Sequence, residues 1–170
     1  MTTRIASAVL AGVFALAPAG NMAVEARPAG VEPAVMIVSS DTLRDVAVAV
    51  YDTAHPVIYV NQTRLSQFEP VMQQFFMAHE RGHITLHHTR AYALNGTIDG
   101  KRAAIVAREL EADCWASQTL ARTNRTAAIG AARFFAQMGP FRYDHEHPSG
   151  SQRAARILAC LPDEGPAAPR

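Results

Sequence analysis

An excess of charge of either sign is what this chain most lacks. It sets 16 basic residues against 15 acidic ones, a formal net charge of +1. That balance argues against the electropositive footprint of a nucleic-acid-binding domain. Lysine is nearly missing, with Lys101 the single one among the basic residues. This bias, with heavy use of alanine, has the look of a GC-rich bacterial genome. Charged residues make up 18% and apolar residues 49%, which excludes a disordered chain. The 170 residues suffice for one domain with a real core. No apolar run is long enough to cross a bilayer. Cysteine is scarce too: Cys114 and Cys160 are the two present. They allow either one disulfide in an oxidising compartment or two buried thiols, and spacing alone does not decide.

What is present begins with a targeting pattern. Arg4 precedes the apolar run "IASAVLAGVFALA", Ile5 to Ala17, and small residues follow. The expectation is a signal peptide over residues 1–26, cleaved after Ala17, Ala19 or Ala26; a buried N-terminal helix is the other reading. No cysteine near the run offers a lipid attachment site. A Pro-, Gly- and Ala-rich linker over 27–33 follows. The mature protein is then exported, periplasmic or secreted, with no stable membrane insertion, and its oligomeric state is open.

Residues 34–161 carry the expected domain. "AVMIVSS" (Ala34 to Ser40), "DVAVAVY" (Asp45 to Tyr51) and "PVIYVN" (Pro56 to Asn61) have strand character. Pro56 favours a strand start or a sheet edge, because proline cannot donate to a ladder. A helix should follow and run to about His88, opened by a Ser66–Glu69 capping box or by Pro70. "AYALNGTIDG" (Ala91 to Gly100) has the Asn-Gly and Asp-Gly of a loop. Helices are expected over about Lys101–Arg122, Arg125–Met138 and Ser151–Leu161, with a loop over Gly139–Gly150. Residues 162–170 make a frayed tail. The fold class is α+β, mostly helical with a small sheet.

The chemistry concentrates in "QFFMAHERGHITLHH", Gln74 to His88, which holds four of the seven histidines. His79 and His83 are four residues apart, so one helix face aims both imidazoles at one ion. Glu80 beside them can reach a water without ligating, the arrangement of zinc peptidases. A catalytic zinc needs three protein ligands and one open position. "ARELEADCWA", Ala107 to Ala116, supplies candidates: Glu109 and Asp113, again four apart. Glu109 would complete the ligand set and Asp113 would accept a hydrogen bond from a ligating histidine. Ala112 and Ala116 are small enough to let the two helices approach closely. The bland reading makes Glu109, Glu111 and Asp113 a solvated face pairing with Arg102 and Arg108. His87 and His88 fit surface or supporting positions, since three histidines down one helix cannot all reach one ion. His55 and His145 fit exposed positions. Phe75, Phe76, Phe134 and Phe135 fit the core.

"FFMAHERGH", then "ELEAD", then "HPSGSQRAARI" resembles the gluzincin metallopeptidases that include the heat-shock protease HtpX and the CAAX prenyl protease. The resemblance covers roughly Val57 to Leu158. It implies a zincin-type domain with a small edge sheet and one zinc ion per chain. It implies His79, His83 and Glu109 as ligands, Glu80 as general base, and Asp113 as their support. It further implies His147, from the His-Pro loop, over the open metal position, and Arg153 in the helix that follows. Arg81 departs from the family, where an apolar residue is usual, and the family's membrane helices have no counterpart. The implied activity is hydrolysis of peptide bonds in extended or unfolded protein segments of the cell envelope. His147 or Tyr143 would stabilise the oxyanion, and substrate would pair along Val57–Val60. The rivals are a zinc-binding but catalytically silent, chaperone-like or regulatory protein, a helical protein with a chance motif, and a zinc amidase acting on cell-wall peptide links.

Overall fold

The computed structural model describes residues 34–51, 55–88 and 98–163. The signal and linker expected over 1–33 and the tail beyond Asp163 lie outside the described residues, as does most of the loop expected over Ala91–Gly100. The fold is α+β. Three strands, β1 (Met36–Ser39), β2 (Ala47–Tyr51) and β3 (Pro56–Val60), form one sheet. Five helices follow: α1 (Gln62–Leu65), α2 (Pro70–Thr85), α3 (Ile98–Thr123), α4 (Arg125–Met138) and α5 (Gly150–Ala159). No helix among the described residues is long and apolar enough to cross a membrane.

The sheet order is β1-β3-β2, with β1 parallel and β2 antiparallel to β3. Pro56 starts its strand, as one reading had it, but β3 is central and both its edges are paired, which corrects the expectation that substrate pairs along Val57–Val60. Pro56 is tolerated because it is the first residue and precedes Val57, where pairing with β1 begins. The outer strands are β1 and β2, and it is the outer edge of β2 that lines the cavity described below. Asn61 donates its N–H to the carbonyl of Val46. In an antiparallel ladder bonded pairs alternate with non-bonded ones. Ala47 and Ala49 therefore turn their own N–H and C=O groups away from β3.

Helix α2 is the hub. Met72, Phe75, Ala78 and Gly82 recur at spacings of three and four and are all buried. On one side Phe75 joins Ala116, Leu120, Ala128, Ala131, Phe135 and Ile157 of the other helices in the main core. On the other side Ile84 packs under the sheet with Ala49, Ile58, Val60 and Leu65. Fully burying a side chain like Phe75 contributes about 1.5–3 kcal/mol, and Phe75→Ala should cost about 3–5 kcal/mol.

The helix ends show what local chemistry decided. Pro70 opens α2, and Glu69 makes no side-chain cap bond. The expected Ser66–Glu69 box does not form, because Ser66 donates its hydroxyl to the Thr63 carbonyl at 3.0 Å. The capping box lies later, at Ser149 and Gln152, and opens α5 at Gly150, one residue ahead of its expected position. Helix α2 ends at Thr85 rather than His88, and α3 starts at Ile98 rather than Lys101. Gly139, at φ +56°, closes α4 in a conformation that favours glycine. Cys114 and Cys160 form a disulfide that ties α3 to the end of α5. Ser117 adds a second tie, donating to the Ile157 carbonyl at 2.8 Å.

Candidate metal centre

The centre exists because α2 and α3 come very close. A Cβ on Gly82 would sit 3.2 Å from the Ala112 carbonyl oxygen and 3.4 Å from the Trp115 ring. Ala112 and Ala116 on the facing helix are fully buried. With nothing larger at the crossing, side chains one turn away can meet. His79 and His83 project from α2 and Glu109 from α3. His79 Nε2 lies 3.1 Å from Glu109 Oε2, His83 Nε2 lies 3.3 Å from Glu109 Oε1, and the two Nε2 atoms are 3.0 Å apart. Tetrahedral zinc with bonds of about 2.0–2.1 Å holds its ligand atoms roughly 3.3 Å from each other. The three donors are thus spaced as such an ion requires, and they form a group that could hold a metal.

A second layer fixes the first. Asp113, fully buried, accepts from His79 Nδ1 at 2.9 Å and from Arg153 Nε at 2.8 Å. Arg153 reaches it from α5, with its guanidinium carbon 4.0 Å from the centre of the Phe135 ring. Burial opposes a charge on Asp113, but Arg153 outweighs it and holds the carboxyl below its usual range. Burial likewise opposes a charge on His79, yet hydrogen bonds and charge from Asp113 and Glu109 raise it to about 10. Burial works against ionised Glu109 as well, and the two histidines still hold it well below the carboxylate range. Burial dominates at His83 and pushes it down. Two buried carboxylates thus demand positive charge at this point, and a proton on His79 supplies it when no metal does.

Glu80 stands on the cavity side of α2. Burial pushes its carboxyl up to about 7, against the pull of His79. Its Oε2 accepts the outward-facing Ala49 N–H at 2.6 Å. The cavity before it has a volume of about 460 Å³ and is lined by β2, the three converging donors, His147 and the aromatic side chains of Phe76 and Phe134.

His147 lies at this cavity but outside the converging set, its Nε2 4.0 Å from Glu109 Oε2. Asp144, which sequence reasoning missed, positions it. Asp144 Oδ1 accepts from the backbone N–H of Glu146 at 2.8 Å and of His147 at 2.9 Å, and from His147 Nδ1 at 2.8 Å. The Asp-x-x-His spacing at a loop was the available signal. Tyr143 sets its ring edge-on to His147, with centroids 5.7 Å apart. His55, His87 and His145 are exposed. His88 is not: its Nδ1 lies 3.1 Å from His83 Nδ1 and its Nε2 3.0 Å from Glu111 Oε2. Glu111 thus has a histidine as a partner. Comparison with family models, with curated proteins and with solved structures finds no match.

Proposed function

We propose that this protein is a zinc-dependent endopeptidase of gluzincin type, acting on extended or unfolded protein segments in the cell envelope. The observation that carries the reading is the convergence of His79, His83 and Glu109 beside the Glu80 carboxylate, in a cavity bordered by the outer edge of β2. Two imidazoles and one carboxylate are a ligand set of zinc hydrolases that leave one position open. Calcium and magnesium demand six or more oxygens and fit this donor set poorly. Bound zinc supplies Lewis-acid polarisation of a carbonyl and acidifies water.

The chain's own residues do the rest. An extended segment can add to β2 through the outward groups of Ala47 and Ala49. This edge replaces Val57–Val60 as the docking strand. Strand addition competes with Glu80 for the Ala49 N–H, which releases the carboxylate. Glu80 then accepts a proton from water and passes it to the leaving amine. His147, held by Asp144, faces the same cavity and donates to the oxygen on which negative charge develops. Backbone pairing favours extended segments with modest sequence preference.

The test pairs metal content with turnover. Purified chain offered zinc should hold one ion per molecule and cleave an unfolded protein. Glu80→Gln should keep the zinc and lose the cleavage. Zinc without turnover in the unaltered chain would favour the silent zinc protein, and absence of stoichiometric zinc would end the metalloenzyme reading.

A further inference from the structure

His83 has a partner that a continuous helix could not provide. Five residues along a helix turn the chain by about 500°, which leaves residue 88 on a different face from residue 83. Here α2 has already ended at Thr85, and His87 takes a left-handed φ of +59°. That turn folds His88 back under the last helical turn. Its ring meets the His83 ring edge-on, with centroids 5.2 Å apart, and its side chain is 9% exposed.

We infer that His88, backed by Glu111, is the positioning residue for His83, holding its ring and its hydrogen so that Nε2 presents a lone pair to the metal. This rests on the metal reading of the site. Read from the His88 side, hydrogen-bond inventory gives one assignment; the 3.3 Å contact of His83 Nε2 with the Glu109 carboxylate pulls the other way when no metal is bound. An ionised carboxylate can only accept, so the hydrogen between His88 and Glu111 sits on His88 Nε2. Neutral His88 then offers a lone pair at Nδ1. The hydrogen between the rings must therefore sit on His83 Nδ1, which leaves His83 Nε2 as the lone-pair nitrogen facing His79 and Glu109. Neutral His83 without this acceptor is free to carry its hydrogen on Nε2, and that tautomer cannot ligate.

Helix α3 thus supplies one ligand and two supports. Glu109 reaches the metal position, Asp113 orients His79 directly, and Glu111 orients His83 through His88. The two arms are unequal. Asp113 is a fully buried charge locked by Arg153, whereas the Glu111 side chain is 56% exposed and acts through a neutral ring. Loss of Glu111 should consequently matter less than loss of His88.

The experiment measures zinc affinity of the full chain by competition with a chromophoric chelator, beside long-range proton–nitrogen NMR of the zinc-free chain. His88→Ala should weaken zinc about 10–100-fold, the usual cost of losing an outer partner of a metal-bound histidine. His88→Gln, whose amide oxygen can accept from His83 Nδ1, should recover most of that loss. Glu111→Ala, a change at an exposed carboxylate, should weaken zinc only a fewfold. NMR should place the His83 hydrogen on Nδ1 in the unaltered chain and on both nitrogens in His88→Ala. Unchanged zinc affinity in folded His88→Ala, or no rescue by His88→Gln, would overturn the inference and leave the metal site standing. If the unaltered chain bound no zinc, the metal reading would fall, and a His83 hydrogen found on Nε2 would separately overturn the assignment made here.

Discussion

The two walls of the cavity are built on opposite principles. The α3 wall is buried charge: Asp113 and Glu109, with Arg153 reaching Asp113 from α5, are matched atom to atom and locked to α2. The β2 wall is backbone: outward N–H and C=O groups at a strand edge, with the Glu80 carboxylate bonded to the Ala49 N–H. Buried ion pairs add little net stability, because desolvation consumes most of the attraction, but they hold atoms in place. A strand edge does the reverse. It accepts an extended chain of almost any sequence and fixes none of the metal-facing atoms. One wall holds the donor spacing; the other is the one proposed to receive an extended chain.

The largest effect is expected where the walls meet. Glu80→Gln should lower peptide hydrolysis by about 10²–10⁴-fold, the usual contribution of a general base, with zinc content unchanged. Loss of zinc in that variant would mean that Glu80 belongs to the holding wall. Next comes the charge itself. Asp113→Ala strands Arg153 in the interior and should cost about 3–5 kcal/mol in urea unfolding, with zinc weakened as well. A double change, Asp113→Leu with Arg153→Met, should recover much of the stability but not the zinc affinity. Recovery of both would break the comparison, since the pair would then not be what orients His79. Removing the disulfide, which closes a loop with a sequence separation of 46, should cost about 2–4 kcal/mol and lower the thermal midpoint under reductant.

The receiving wall predicts smaller numbers. Ala49→Pro removes an outward N–H that no strand among the described residues uses, and with it a hydrogen bond to Glu80. KM for an unfolded substrate should rise about tenfold, equivalent to about 1.4 kcal/mol, with folding and zinc affinity nearly unchanged. Titration sharpens the other wall. In the zinc-free chain His79 is raised from 6.5 to about 10. Its protonated form then stabilises the fold fully below about pH 6.5, and that contribution is lost as pH rises through about 10. On the proposed zinc reading the ion replaces this proton, so uptake near pH 8 should release about one proton per chain, measurable by calorimetry in buffers of different ionisation enthalpy.

What was legible in the sequence was local. The reading of Arg125–Met138 coincides with α4 because Asn124 and Gly139 punctuate it. The pairing of His79 with His83, and of Glu109 with Asp113, follows from helical period alone. The strand order was not legible, because pairing β3 with β1 across β2 is a long-range choice that Pro56 does not report. His88 was hidden by the left-handed turn at His87, a conformation uncommon for a residue other than glycine or asparagine. The Arg153–Asp113 contact spans 40 residues, and periodicity carries no trace of it.

The tie between α3 and α5 also has a consequence in time. A chain is synthesised from its N-terminus, so α2 and α3 exist before α5 does. Until residues 150–160 arrive, Asp113 has no Arg153, Cys114 has no Cys160, and the His79 ring lacks its fixed acceptor. The donors for a metal are all made early, yet the scaffold that aligns them is completed by the last helix described. Assembly of the centre is thereby postponed until α5 has been made, and until then a nascent chain carries the parts of the centre without the order that makes them one site.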